Sequence, residues 1–186
     1  MPDRSRRALL RESTSEAHAA LDTMIGPFDT LQSYRSYLVG MASFRRVVEN
    51  RMSAADWPRA LESWDFERFS PLIDEDLRDL RIEAPQMIET PMSPGSVEDF
   101  LGMLYVLEGS ALGSRLLYKR AQALGYGADF GARHLAVQAR PSGRWPAFLK
   151  LLEDVEAIDM DRVAAASRAT FNIAEKAFRQ EFHEPA

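Results

Sequence analysis

The sequence has no cysteine, which excludes disulfides, thiolate-held zinc or iron–sulfur clusters, and cysteine nucleophiles. It also lacks any uncharged apolar run near the roughly 18 residues that would mark a bilayer-spanning helix. Excess positive charge is missing too. A net charge of -5 and a pI near 5.3 argue against nucleic acid, whose phosphates demand a basic surface, and against attraction to anionic lipid. Met1 to Thr14 carries Arg4, Arg6, Arg7 and Arg11 without the apolar stretch of a secretory leader, so the expected location is the cytoplasm. Histidine is scarce, with only His18, His134 and His183 in the chain.

What is present is ordinary for a folded protein. The 186 residues are 46% hydrophobic and 27% charged, enough to bury a core in one compact domain spanning 1–186. The periodicity is helical almost throughout. Leu9, Leu10, Ala17 and Leu21 mark a first amphipathic helix that should stop near Gly26 and Pro27. Leu31, Tyr34, Leu38, Met41, Phe44 and Val48 mark a second. Shorter, less regular helix is expected from Trp57 to Ile82, then a proline-rich loop over 84–95. Ser96 followed by Asp99 resembles an N-terminal cap, opening a helix to about Gly125. Two more helices are expected over Trp145–Ile158 and Asp161–Phe182, and His134–Ala139 is a weak strand candidate. The fold class is all-α.

In the first helix, Leu10, Thr14, His18 and Leu21 fall on one stripe, so His18 should point where the apolar residues point. An inward imidazole bonds a carbonyl or a water, or ligates a metal. One histidine serves zinc poorly, because zinc takes about four ligands. It suffices for heme, whose porphyrin supplies the in-plane nitrogens. His134, in an expected loop, and His183, near the end of the sequence, read as exposed surface histidines.

The segment FLGMLYVLEGSALGSRLLYKR, Phe100–Arg120, is apolar enough to be helical yet holds Gly102, Gly109 and Gly113. An interior glycine costs about 1 kcal/mol relative to alanine. Their spacings of seven and four put all three on one face, so something should approach that backbone closely. A neighbouring helix would do so, as would a flat ligand lying across a bend at Gly109 and Gly113. Arg120, seven residues past Gly113, lies on that face at the helix end, where it can meet a carboxylate.

Two segments together resemble the heme oxygenase family. Leu10-Arg11-Glu12-Ser13-Thr14-Ser15-Glu16-Ala17-His18 is similar to the family's proximal helix, in which the histidine ligates heme iron. Tyr105-Val106-Leu107-Glu108-Gly109-Ser110-Ala111-Leu112-Gly113 is similar to the distal helix of its bacterial branch, which includes enzymes associated with bacteriophytochromes and with iron acquisition. Ala169-Thr170-Phe171 and Phe178 resemble aromatic positions of the last helix.

The resemblance implies a helical bundle with heme between the two helices, opened by O2 to biliverdin with release of CO and Fe(II). It implies His18 as iron ligand and Gly109, Ser110 and Gly113 as the distal catalytic stretch. Arg11, Arg120, Lys119 and Tyr105 become candidates for the heme propionates, Phe171 for the heme edge, and Asp22 for the second imidazole nitrogen. It further implies an external electron donor, a ferredoxin or a flavoprotein reductase, and a bacteriophytochrome as a candidate biliverdin acceptor. The aspartate that some branches carry near the second distal glycine is absent, since none occurs between Phe100 and Arg120. A non-catalytic heme sensor or carrier and a heme-free helical scaffold are the competing functions. A di-iron oxidase is disfavoured because no Glu-x-x-His pair occurs.

Overall fold

The computed structural model describes residues 5–91, 93–141 and 143–182; His183 lies outside them. Eight helices are found there: α1 (Arg6–Ile25), α2 (Leu31–Ala54), α3 (Ser70–Asp79), α4 (Val97–Ser110), α5 (Ser114–Ala123), α6 (Arg133–Gln138), α7 (Arg144–Asp154) and α8 (Met160–Phe182). Single 3-10 turns occupy Arg59–Leu61 and Ala111–Gly113. Among the described residues no strand forms; isolated bridges join Gly127 to Phe130 and to Gly131. Among the described residues no helix is long and apolar enough to cross a membrane.

Local chemistry sets the helix ends. Ser5 accepts the Ala8 N–H at the start of α1, and Gly26, at φ 62°, ends it. Thr30 and Ser33 form a reciprocal capping box on α2. Ser96 and Asp99 do the same on α4, with Ser96 N–H donating to Asp99 Oδ2 at 3.0 Å and Asp99 N–H to Ser96 Oγ at 3.2 Å. The shorter aspartate thus fills the place glutamate usually takes.

Two short helices are capped from afar by buried carboxylates. Glu49 of α2 accepts the Phe69 and Ser70 amides at the start of α3, at 3.0 and 2.9 Å. Asp76 of α3 accepts the Arg133 and His134 amides at the start of α6, at 2.9 and 3.2 Å. The negative charge also suits a helix N-terminus. This capping explains why His134–Ala139 is not the extended segment the sequence pattern offered: a short apolar run fits either period, and Asp76 selects the helix. His134 is not a surface histidine either. It is 1% exposed, its Nδ1 lies 2.7 Å from Asp76 Oδ2, and its ring stacks on Tyr37.

The bundle is organised on α8, against which α1, α2 and α4 all pack. Glycines permit the closest approaches. A Cβ on Gly102 would sit 2.5 Å from Ala166 Cβ and 2.8 Å from the Ser167 nitrogen and Val163 oxygen. A Cβ on Gly40 would meet the Phe178 ring at 2.5 Å. The glycine face of α4 therefore divides, with Gly102 serving helix packing. The core lies in two clusters along α8. One gathers Leu10, Phe100, Leu104, Phe148 and Phe171, and the other gathers Phe28, Tyr34, Tyr37, Ile73, Leu135 and Phe178.

Gly102→Ala is expected to cost about 1–3 kcal/mol through overpacking against α8, read as a lower urea midpoint; an unchanged midpoint would contradict this contact. Burial pushes the His134 imidazole below its ordinary value of 6.5, and Asp76 opposes this only in part. The folded ring stays neutral while the unfolded chain takes up a proton as pH falls below 6.5, so stability is complete above that pH and declines beneath it. Midpoints measured between about pH 7.5 and 5 should fall on the acid side, and His134→Gln should flatten that limb. Equal slopes in both proteins would refute the assignment.

Candidate functional site

Along α1 the stripe begins as the sequence indicates. Leu10 is fully buried, and Thr14 is buried with its hydroxyl donating to the Leu10 carbonyl at 2.8 Å. It then leaves the core: the His18 side chain is 63% exposed. The inward direction expected for His18 is thus corrected: Ala17, Leu21, Met24 and Ile25 still pack at the edge of the core, but the face of α1 that carries His18 is left largely uncovered. One side of its ring still meets protein, edge-on to Phe171 of α8 at 6.0 Å between centroids. Asp22 Oδ2 lies 3.0 Å from Nδ1. That pairing favours the Nδ1–H tautomer and leaves Nε2, which has no protein partner among the described residues, with its lone pair available.

Phe171 itself is buried, and the two aromatic positions of α8 part company here. Phe178 belongs to the other cluster, packed on Gly40 and Tyr37. It is core.

The second wall comes from α4. Glu98 Oε1 accepts the Asp159 amide just before α8, and Gly102 contacts Val163, Ala166 and Ser167. The two helices therefore run in the same direction. At about 1.5 Å per residue, that register carries Gly109 to the level of Phe171. α1 also runs parallel to α8, with Arg6 bonded to the Leu152 and Val155 carbonyls and His18 beside Phe171. α1 and α4 pack on α8 rather than on each other.

At this level α4 stops being α-helical. Ser110 is followed by the 3-10 turn Ala111–Gly113, after which α5 resumes. The continuous helix expected from Ser96 to about Gly125 is thus broken, at the bend that Gly109 and Gly113 suggested. Around a Cβ on Gly113 there would be no atom within 4 Å, and on Gly109 only the Trp145 ring, at 3.6 Å. Leu112 and Leu116 stand exposed nearby on the same turn and helix. Bare backbone and unpartnered apolar side chains face solvent together.

The remaining sequence candidates distribute as follows. The Ser110 hydroxyl donates to the Leu107 carbonyl and accepts from Arg45 Nη2, both at 2.7 Å, so it is engaged with protein. Tyr105 is half-buried, its ring 5.8 Å from Trp145 and 6.5 Å from Phe148; these are core contacts. Arg11 and Lys119 are exposed and Arg120 is half-exposed.

Three contacts were not anticipated from sequence. Arg144 grips Glu108 with two hydrogen bonds, at 2.7 and 3.1 Å, and lies over the Trp64 ring at 5.0 Å. Trp145 packs beneath Gly109. Arg45 reaches Ser110 from α2. All join residues far apart in the chain, and the only sequence signal was a charged residue inside an apolar helical pattern at Arg45 and Glu49.

Among the described residues no three His, Asp or Glu side chains converge as a metal cage. A metal taken by His18 must therefore bring most of its own ligands.

No family model matches the chain. Heme oxygenase PigA of Pseudomonas aeruginosa is 28% identical to it over 163 residues, covering 84% of this chain and 82% of that protein. Among solved structures, the NO- and CO-bound heme oxygenase of Neisseria meningitidis superimposes with a TM-score of 0.78 at 26% identity, covering 99% of this chain and 95% of that one. With a lone imidazole on α1 and a glycine break in α4, the chain is similar over most of its length to bacterial heme oxygenases.

Proposed function

We infer that this chain is a heme oxygenase: it binds heme and cleaves it oxidatively to biliverdin, releasing CO and Fe(II). What carries the reading is an open imidazole beside Phe171 of α8 together with a break of bare backbone in α4, which the parallel register of α4 and α8 brings to a similar height. Similarity to heme oxygenases over most of the chain supports it.

The residues present fit heme. An imidazole with Nδ1 paired to Asp22 offers Nε2 to iron, and the porphyrin supplies the in-plane nitrogens. Heme is the substrate, and its own iron supplies the oxygen chemistry. What the chain contributes is placement. His18 fixes one face of the ring, and Asp22 holds the imidazole orientation. Gly109 and Gly113 let backbone approach the other face where side chains would stand in the way. Phe171 backs the inner edge against α8.

Arg11, Arg120 and Lys119 are suited to the propionates through charge-assisted hydrogen bonds. Tyr105 is assigned to packing in preference to that role. Ser110 acts on the backbone of the break, so protons reach the ring through ordered water. Electrons come from outside, from a ferredoxin or a flavoprotein reductase, and the reaction is assigned to the cytoplasm. A bacteriophytochrome is a candidate acceptor for the biliverdin.

Hemin added to the purified protein should give a histidine-type Soret band, which reductant and oxygen should replace with the red absorbance of a bilin. A band that survives turnover would instead indicate a heme carrier, and no band a scaffold. His18→Ala should abolish the histidine signature and most ring opening. Gly113→Phe should fold normally, given the open space there, yet lose hemin affinity; wild-type affinity in that variant would remove the distal assignment.

A further inference from the structure

The break between α4 and α5 is held from outside by an ion pair. In an unbroken helix the Leu107 carbonyl would accept the Ala111 N–H, four residues on. That N–H goes instead to Glu108, three residues back. The Leu107 carbonyl is taken by two side chains: Arg45 Nη2 donates to it at 3.1 Å, and Ser110 Oγ donates at 2.7 Å. Arg45 Nη2 also donates to Ser110 Oγ, at 2.7 Å. One guanidinium nitrogen thus grips both the freed carbonyl and the hydroxyl at the start of the 3-10 turn. Side-chain insertion into the hydrogen-bond ladder is a recognised cause of helix kinks.

Arg45 is itself held rigidly. It is 2% exposed, its Nη1 pairs with Glu49 at 3.3 Å, and its guanidinium lies 5.3 Å over the Phe69 ring. Glu49, fully buried, is fixed by the Phe69 and Ser70 amides. The Arg45 Nε finds no partner. Burying a charged pair with an unsatisfied donor is costly, and a nonpolar residue would fill this position in α2 at less expense. The arrangement persists where it fixes the backbone between Gly109 and Gly113.

We propose that Arg45 is a positioning residue for ring opening: anchored by Glu49, it holds the α4 break open through the Leu107 carbonyl and the Ser110 hydroxyl, and thereby sets how closely the Gly109–Gly113 backbone approaches the heme face. This rests on the heme oxygenase reading of the site. Arg45 touches neither substrate nor reacting atoms; it acts through the geometry of the turn.

The test uses Arg45→Lys, which keeps the charge beside Glu49 but lacks the planar fork, and Ser110→Ala, which leaves the Arg45–Glu49 pair intact. In heme-free protein, amide hydrogen exchange at residues 111–114 should accelerate about tenfold or more in both variants, while the Phe69 and Ser70 amides keep their protection. With hemin bound, kcat for ring opening should fall about ten- to hundredfold, as expected for a misplacement near 1 Å, with KM within about threefold of wild type. Exchange unchanged at 111–114, or equally raised at Phe69 and Ser70, would overturn the proposal. So would a loss confined to KM. Should Arg45→Lys fail to fold, Ser110→Ala carries the same comparison. Wild-type protein unable to open the ring would defeat the functional reading and the catalytic part of this proposal, and the exchange data would still decide whether Arg45 holds the turn.

Discussion

The close contact of α4 with α8 at Gly102 is the constraint on which the rest of the molecule depends. With Ala166, Ser167 and Val163 all inside 3 Å of where a Cβ would stand, the two backbones lock in both spacing and register. The register, more than the spacing, has functional weight. It carries Gly109 to the turn of α8 that holds Phe171, where α1 delivers His18. α8 works as a ruler, with a ligand-bearing helix on one side and a broken helix on another.

Polar groups do the finer work. Glu49 and Asp76 are buried carboxylates reaching short helices that would otherwise begin with unsatisfied amides. A buried charge is stable only when its hydrogen-bonding capacity is met, and each of these meets several donors at once. Through Arg45 the Glu49 cluster extends to the α4 break; through His134 and Arg133 the Asp76 cluster pins α6. At the far side, Arg144 holds Glu108, one residue before Gly109. The backbone strip is bare, but its two flanks are tied down.

Much of this was legible in the sequence. Helix periods located the major elements, and Ser96 with Asp99 identified the α4 cap. Glycine spacing in an apolar helix pointed to close approach. The same spacing could not reveal that Gly102 meets a helix, Gly109 the Trp145 ring and Gly113 open space, because identical residues on one face serve either end. His18 and His134 were misjudged in opposite directions: a stripe does not report which part of a helix face its neighbours leave uncovered, and a short segment does not announce a buried carboxylate some 58 positions earlier. Arg144 and its partners were invisible for the same reason, and Arg45 with Glu49 showed only as charge inside an apolar helical pattern. Ion pairs between distant segments depend on tertiary register, which local pattern does not encode.

The most direct test of this account is a crystal structure of the protein loaded with hemin. It should show iron bound to Nε2 of His18, Phe171 against the inner edge of the ring, and the opposite face lying on the main chain from Gly109 to Gly113. Iron held by any other side chain, or a ring seated away from that stretch, would contradict it.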